Sequence, residues 1–242
     1  MTALLRSEWT KLWSIRFGAW CTAVFSFVVL GAGLLAAATT QTSPVADLAV
    51  EGALTGFGFG QLVLVVFGIL AVTSEFGTGN ALVSFVAVPR RTRLLVAKTI
   101  VVAGWAALIS AVLAVLCTVG AARFTVVPGG ISLTDPGVLR VLALQVAIGT
   151  LVTVLAVAVG TVVRSSAGAV GSASTLVFFA PLLVALAPDW AARSAKAMPA
   201  LRVGRDTFLA ESTTWQVGTA ITAGWAVAVW ILGAVLLERR DV

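Results

Sequence analysis

The chain has 242 residues, of which 60% are hydrophobic and 11% charged, and its mean hydropathy is +1.06. Soluble domains carry about 25% charged residues because something must face water, so this composition excludes a soluble globular domain and requires a surface that faces lipid. The net charge of +6 and isoelectric point near 10.7 do not call for nucleic acid, since membrane proteins concentrate Lys and Arg on their cytoplasmic side.

Residues 1–17 are too charged to span a bilayer. Leu5, Trp9, Leu12 and Trp13 recur at helical spacing, while Arg6, Ser7, Lys11 and Ser14 fall mainly on the other face. Tryptophan and basic residues on an amphipathic helix predict an element lying among the lipid headgroups. Apolar runs follow at about 18–38, 56–74, 94–121, 138–163, 167–187 and 216–237, each near the ~20 residues needed to cross a hydrocarbon core of roughly 30 Å. The expected fold is therefore an all-α membrane protein: six transmembrane helices behind an interfacial helix, forming one domain over 1–242. The first run follows an amphipathic stretch and is too long for the apolar region of a cleavable signal.

Between the spans lie a polar loop at 39–55 with Pro44, Asp47 and Glu51, a loop at 75–93, and a Pro/Gly loop at 126–137. Arg164 and two serines predict a tight turn between the fourth and fifth spans, and a longer segment at 188–215 precedes the sixth. Pro181 is expected to kink or break the fifth span, with neighbouring helices satisfying the freed carbonyl. Cys21 and Cys117 lie in apolar runs near opposite faces, which predicts two small buried hydrophobes and no disulfide.

With the N-terminus in the cytoplasm, that side holds Arg6, Lys11, Arg16, Arg90, Arg91, Arg93, Lys98, Arg164, Arg239 and Arg240 against four acids, Glu8, Glu75, Glu238 and Asp241. The other side balances six basic residues with six acidic ones. The bias predicts a multi-pass protein of the cytoplasmic membrane with both termini inside. Arg193, Lys196, Arg202 and Arg205 run against it, which a folded extracytoplasmic segment tolerates.

Several chemistries are missing. There is no histidine, which removes Ser–His proteolysis and HExxH zinc sites. None of the three lysines follows a glycine, so the chain has no P-loop and cannot bind ATP through one. No carboxylate lies in the middle of a span, where an ion-coupled transporter usually needs one. The chain is thus read as no enzyme, with no catalytic residue, metal or cofactor of its own, and any energy must come from a partner.

The candidate contact with that partner is the 75–93 loop. Gly77 and Gly79 break the second span, and Asn80 is placed to cap a short helix over 81–86 that presents Leu82, Phe85 and Val86. Pro89 ends it by disfavouring helix at Val88, and Arg90, Arg91 and Arg93 mark the membrane boundary. The plainer alternative is a headgroup-anchored turn. Glu75 is expected to pair with Arg90, Arg91 or Lys98, or else to be a solvated boundary charge, and Lys98 to snorkel outward. Gln145, Gly149, Thr153, Ala156 and Gly160 share one face of the fourth span, and Gly168, Gly171, Ser172 and Thr175 cluster on the fifth. Such faces mean close helix packing or, more sharply, a transport path. Gly56 and Gly60 form a GxxxG packing signal.

The pattern LLRSEWTKLWSIR, followed after the second span by TSEFGTGNALVSFVAVPRRTRLLVAK, resembles the permease subunits of type-2 ABC exporters, especially the small six-span actinobacterial kind. The motif residues are Glu75, Gly79, Pro89, Arg90 or Arg91, and Lys98. The resemblance implies that the loop after the second span is a coupling helix docking on a separate ATPase subunit, which would hold ATP and Mg. It also implies a second permease copy, a helical or re-entrant extracytoplasmic segment before the last span, and export as the direction of transport; with no charged pocket visible in the sequence, the expected substrate is amphipathic or apolar. A non-transporting membrane scaffold or immunity protein is the rival from another class; a secondary transporter is disfavoured by the missing carboxylates.

Overall fold

The structure is a computed structural model and describes residues 1–14, 16–40, 42–77, 91–179 and 215–239. Every named element among these residues is helical. In chain order they are α1 (Thr2–Ser14), α2 (Arg16–Thr39), α3 (Ala46–Ala53), α4 (Gly56–Gly77), α5 (Arg91–Phe124), α6 (Pro136–Val163), α7 (Ser166–Ser174) and α8 (Trp215–Arg239). A single π turn, Thr175–Phe179, continues α7.

Five of these helices are long and apolar enough to cross a membrane: α2, α4, α5, α6 and α8. The sixth expected span is represented by the shorter apolar helix Ser166–Phe178, and its remainder, with Pro181, lies outside the described residues. The described chain is thus an all-α membrane protein with five candidate spans rather than six.

Burial ranks the spans. The apolar windows of α4 and α6 are 67% and 61% buried, against 22% for α2 and 28% for α8, so α4 and α6 are the inner pair and the others wrap them. Phe25, Val29, Phe57, Leu113, Cys117 and Val138 join α2, α4, α5 and α6 in one core cluster. Ile69, Val152, Leu155, Ala173 and Ala226 join α4, α6, α7 and α8 in a second. Phe27, Leu35, Leu108, Val227 and Ile231 are exposed, the lipid-facing side of the outer helices that the composition requires.

Helix ends follow local chemistry. Asp135 caps α6 by accepting from the Gly137 N–H, with Pro136 in the first turn, where its missing N–H costs nothing. Arg164 closes the helix at φ 56°, in the left-handed region, and Ser165 caps α7. The predicted turn therefore has a stated geometry. The loop at 39–55 contains an element that its polar residues obscure. Within it, α3 buries Ala49, Val50 and Ala53 over the end of the bundle, and the Asp47–Arg140 pair beside it, 3.9 Å apart, is too exposed to add much.

Polar side chains also cross between helices. The Trp105 indole N–H donates to Thr22 Oγ1 at 3.1 Å, and that of Trp230 to Thr99 Oγ1 at 3.0 Å. A partly buried neutral hydrogen bond contributes about 1 kcal/mol net. Trp105→Phe should therefore lower stability by about that much, read as a small drop in thermal midpoint in detergent; an unchanged midpoint would mean water or lipid replaces the indole's partner.

Candidate functional site

Four charged side chains meet where α1, α4 and α5 converge. Glu8 and Lys11 lie one helical turn apart on α1, Glu75 sits in the last turn of α4, and Lys98 is in the second turn of α5. The Lys98 ammonium lies 2.8 Å from Glu8 Oε2 and 2.8 Å from Glu75 Oε1. Lys11 lies 2.8 Å from Glu8 Oε1 and 3.1 Å from Glu75 Oε1. Each carboxylate touches both ammoniums, so the contacts close into a ring of zero net charge.

Lys98 also donates to the Ala71 carbonyl at 3.2 Å. Ala71 lies one turn before Glu75 on the same face of α4, so a single lysine gathers that helix end. Leu12, Phe17, Val101 and Val102 line the same small cavity. Glu8 is 3% exposed, Lys98 8% and Glu75 15%, whereas Lys11 at 38% reaches toward solvent. Burying one such charge alone costs several kcal/mol, and only close partners offset it. The ring therefore makes each charge tolerable by means of the others.

Burial drives the Glu8 carboxyl upward, but the Lys98 charge and the hydrogen bonds from Lys11 and Lys98 outweigh it and hold it below the ordinary 4.5. Burial likewise pushes Lys11 down, yet Glu8 and Glu75 outweigh that and hold it above the ordinary 10.5. A depressed acid contributes stability above its unfolded pKa and loses it as pH falls through the folded value; a raised base does so below its unfolded pKa and loses it as pH climbs. Both contributions are thus present between 4.5 and 10.5. Stability should fall as the buffer is taken below pH 4.5, and that fall should be smaller in Glu8→Gln. Equal acid slopes for the two proteins would remove Glu8 as its source.

Glu75 therefore finds Lys98 among the partners expected for it. Arg91 instead donates to the Leu237 carbonyl at 3.2 Å, joining the start of α5 to the end of α8. Gly79, Leu82, Phe85, Val86, Pro89 and Arg90 lie outside the described residues. Glu8, counted beforehand only as a boundary charge, is the site residue that the sequence reading missed, and Lys11 turns toward Glu75 rather than wholly to solvent.

The two polar faces part company. Gln145 and Thr153 are buried, and Gly149 lies against Ser110 and Leu64. This is close packing of α6 on α4 and α5. Ser172 and Thr175 are exposed on α7 and its π turn, so the structure does not bring them into that face. Aromatic rings finish the α1 junction. Trp9 and Trp13 meet Trp105 edge-on, with centroids 5.8 and 4.9 Å apart, a favoured arrangement.

An α-helical bundle with five candidate spans and a buried charge ring at the foot of its second span is a multi-pass membrane protein. A family model described as ABC-2 family transporter protein matches residues 4–181, and the chain belongs to that family. The matched region contains all four ring residues and the whole 75–93 loop. A search of curated proteins returns no match. Proteins of this family are membrane subunits that are not themselves the ATPase and that work with an ABC ATPase partner.

Proposed function

We propose that the chain is the transmembrane subunit of an ATP-driven exporter, moving an amphipathic or apolar substrate across the cytoplasmic membrane. The observation that carries this reading is the family match over residues 4–181. The charge ring supports it, because it braces the helix end from which the 75–93 loop departs. Two copies would pair, each above one ATPase subunit holding ATP and Mg, with both termini in the cytoplasm. ATP binding closes the ATPases, and the segment bearing Leu82, Phe85 and Val86, between Gly79 and Arg90, carries that movement to the spans. Such switching needs a two-state element that the nucleotide biases. The exposed α7 face with Ser172 and Thr175 faces the central cavity or the second copy, while Gln145, Gly149 and Thr153 support it from within the bundle.

Co-purification tests the assignment. An ATPase with a GxxxxGK[ST] motif, encoded beside this chain, should bind it and hydrolyse ATP faster when bound. Leu82→Asp and Phe85→Asp should each abolish that binding while the permease stays folded. Wild type that captures no such ATPase would favour a scaffold or immunity protein, and substitutions without effect would remove the loop as the contact.

A further inference from the structure

Helix lengths locate the two faces of the bilayer on this chain. Tryptophans gather at membrane boundaries, and Trp9, Trp13 and Trp105 stand together at the end of the bundle that holds the charge ring. From Trp105 to Phe124, α5 rises about 28 Å at 1.5 Å per residue. From the exposed Trp20 to Thr39, α2 rises by the same distance. A hydrocarbon core is roughly 30 Å thick, so both helices reach its far side at their last residues. Contacts between them keep the two helices level. The Trp105 indole N–H donates to Thr22 Oγ1 at 3.1 Å near one end, and Thr125 Oγ1 donates to the Ala37 carbonyl at 3.2 Å near the other.

The chain just beyond these ends is apolar where a loop in water would be polar. Leu108, Val112, Val115 and Val119 form an exposed stripe along α5, at steps of three and four. Val126, 70% exposed, stands two turns past Val119 in the same register, although the helix ends at Phe124. The Ser43 N–H donates to the Val126 carbonyl at 3.1 Å, which ties this point to the segment leading into α3. There Val45, at the start of α3, and Leu48, one turn on, are exposed as well, while Ala49, Val50 and Ala53 turn inward. Exposed apolar groups that lie together mark a surface meant for a partner or a membrane.

We infer that α3 and the Val126 segment form a lipid-contact platform, seated in the headgroup layer of the leaflet opposite the charge ring. In the orientation proposed above, that is the outer leaflet. The layer is about 5–8 Å deep on each side of a bilayer, which is the depth to which the apolar face of an interfacial helix sinks. Phospholipid is the occupant for three reasons. The patch continues the lipid-facing stripe of α5 in register. It lies at the level that the lengths of α2 and α5 assign to the headgroups. Arg123, exposed beside Phe124 at that level, is long enough to reach a lipid phosphate while its stem stays against apolar surface. Seated there, α3 covers the end of the bundle and fixes the depth at which α2 and α5 stand.

Collision measurements with nitroxide labels test this. Cys21 and Cys117 of the full-length permease are replaced by alanine, and single labelled cysteines are introduced as Leu48→Cys and Val126→Cys. Leu108→Cys serves as the reference for the acyl region. Each protein is reconstituted in phosphatidylcholine vesicles and exposed to oxygen, which concentrates in lipid, or to a neutral nickel chelate, which stays in water. The labels at positions 48 and 126 should collide more with oxygen than with the chelate, and report a shallower depth than the label at 108. A label dominated by the chelate at either position places the platform in water and overturns the inference. A label that neither reagent reaches overturns it too, because a second copy or another part of the chain then covers the patch.

Discussion

Lys98→Met is expected to be the most damaging single substitution in the described part of the chain. Removing this ammonium leaves Glu8 and Glu75 with only Lys11 between them, a buried excess of negative charge, and strips the Ala71 carbonyl of its side-chain donor. Stranding one partner of a buried ion pair costs about 3–5 kcal/mol, a large part of the 5–15 kcal/mol that typically separates folded from unfolded protein. The expected result is a sharp loss of monodisperse protein in detergent and a much lower thermal midpoint for what survives.

The double variant Glu8→Gln/Lys98→Met should recover part of that loss, because Lys11 and Glu75 then remain as a neutral pair. Substitutions at independent sites add within about 0.5 kcal/mol. If the two single effects simply add, the four charges do not act as a unit, and the ring is a geometric grouping rather than an energetic one.

Five of the six expected spans were legible in the sequence because lipid imposes a simple rule: long apolar runs with every backbone group satisfied internally. The Glu75–Lys98 pair was legible as one of the alternatives for two charges at span ends, but Lys98 was expected to snorkel outward and is instead buried, at 8% exposure, because two carboxylates meet it there. Glu8 was missed because it was counted among boundary charges without asking which face of α1 it occupies. Leu5, Glu8 and Leu12 lie three and four residues apart, so Glu8 stands in the middle of the apolar face. A charge placed there demands a counter-charge from whatever that face packs on. The short helix α3 was hidden by Pro44, Asp47 and Glu51, although Ala46, Ala49, Val50 and Ala53 already carry helical spacing. Which of the small-residue faces turns inward was not legible, because small residues permit a close approach without naming the neighbour; that waits on the order in which the helices assemble.

Gly56 shows what naming the neighbour changes. A GxxxG pair such as Gly56 and Gly60 says only that some helix comes close, and in a protein expected to pair with a second copy, that helix need not belong to the same chain. The structure puts α2 there. A methyl group on Gly56 would collide with the Val29 carbonyl oxygen and lie 2.9 Å from the Gly33 nitrogen, and one on Gly60 would lie 2.6 Å from Val29 Cγ2 and 2.8 Å from Phe25 Cε2. The obstacles to Gly56→Ala are backbone atoms, which cannot swing aside, so α2 must lift from α4. Gly33 is equally confined, facing the Ala53 carbonyl and Cys117 Sγ. Overpacking of this kind costs about 1–3 kcal/mol, occasionally more, and Gly56→Ala belongs at the upper end. Gly58, two residues along the same helix, has nothing within 4 Å of an added methyl. Gly58→Ala should therefore be neutral, or stabilising by up to about 0.5–1 kcal/mol through lost backbone freedom in the unfolded chain. Thermal midpoints of the two variants, measured side by side in one detergent, decide the matter: a clear drop for Gly56→Ala alone places the close approach within the chain. Equal midpoints, with Gly56→Ala instead weakening association between copies, would move it to the surface between them.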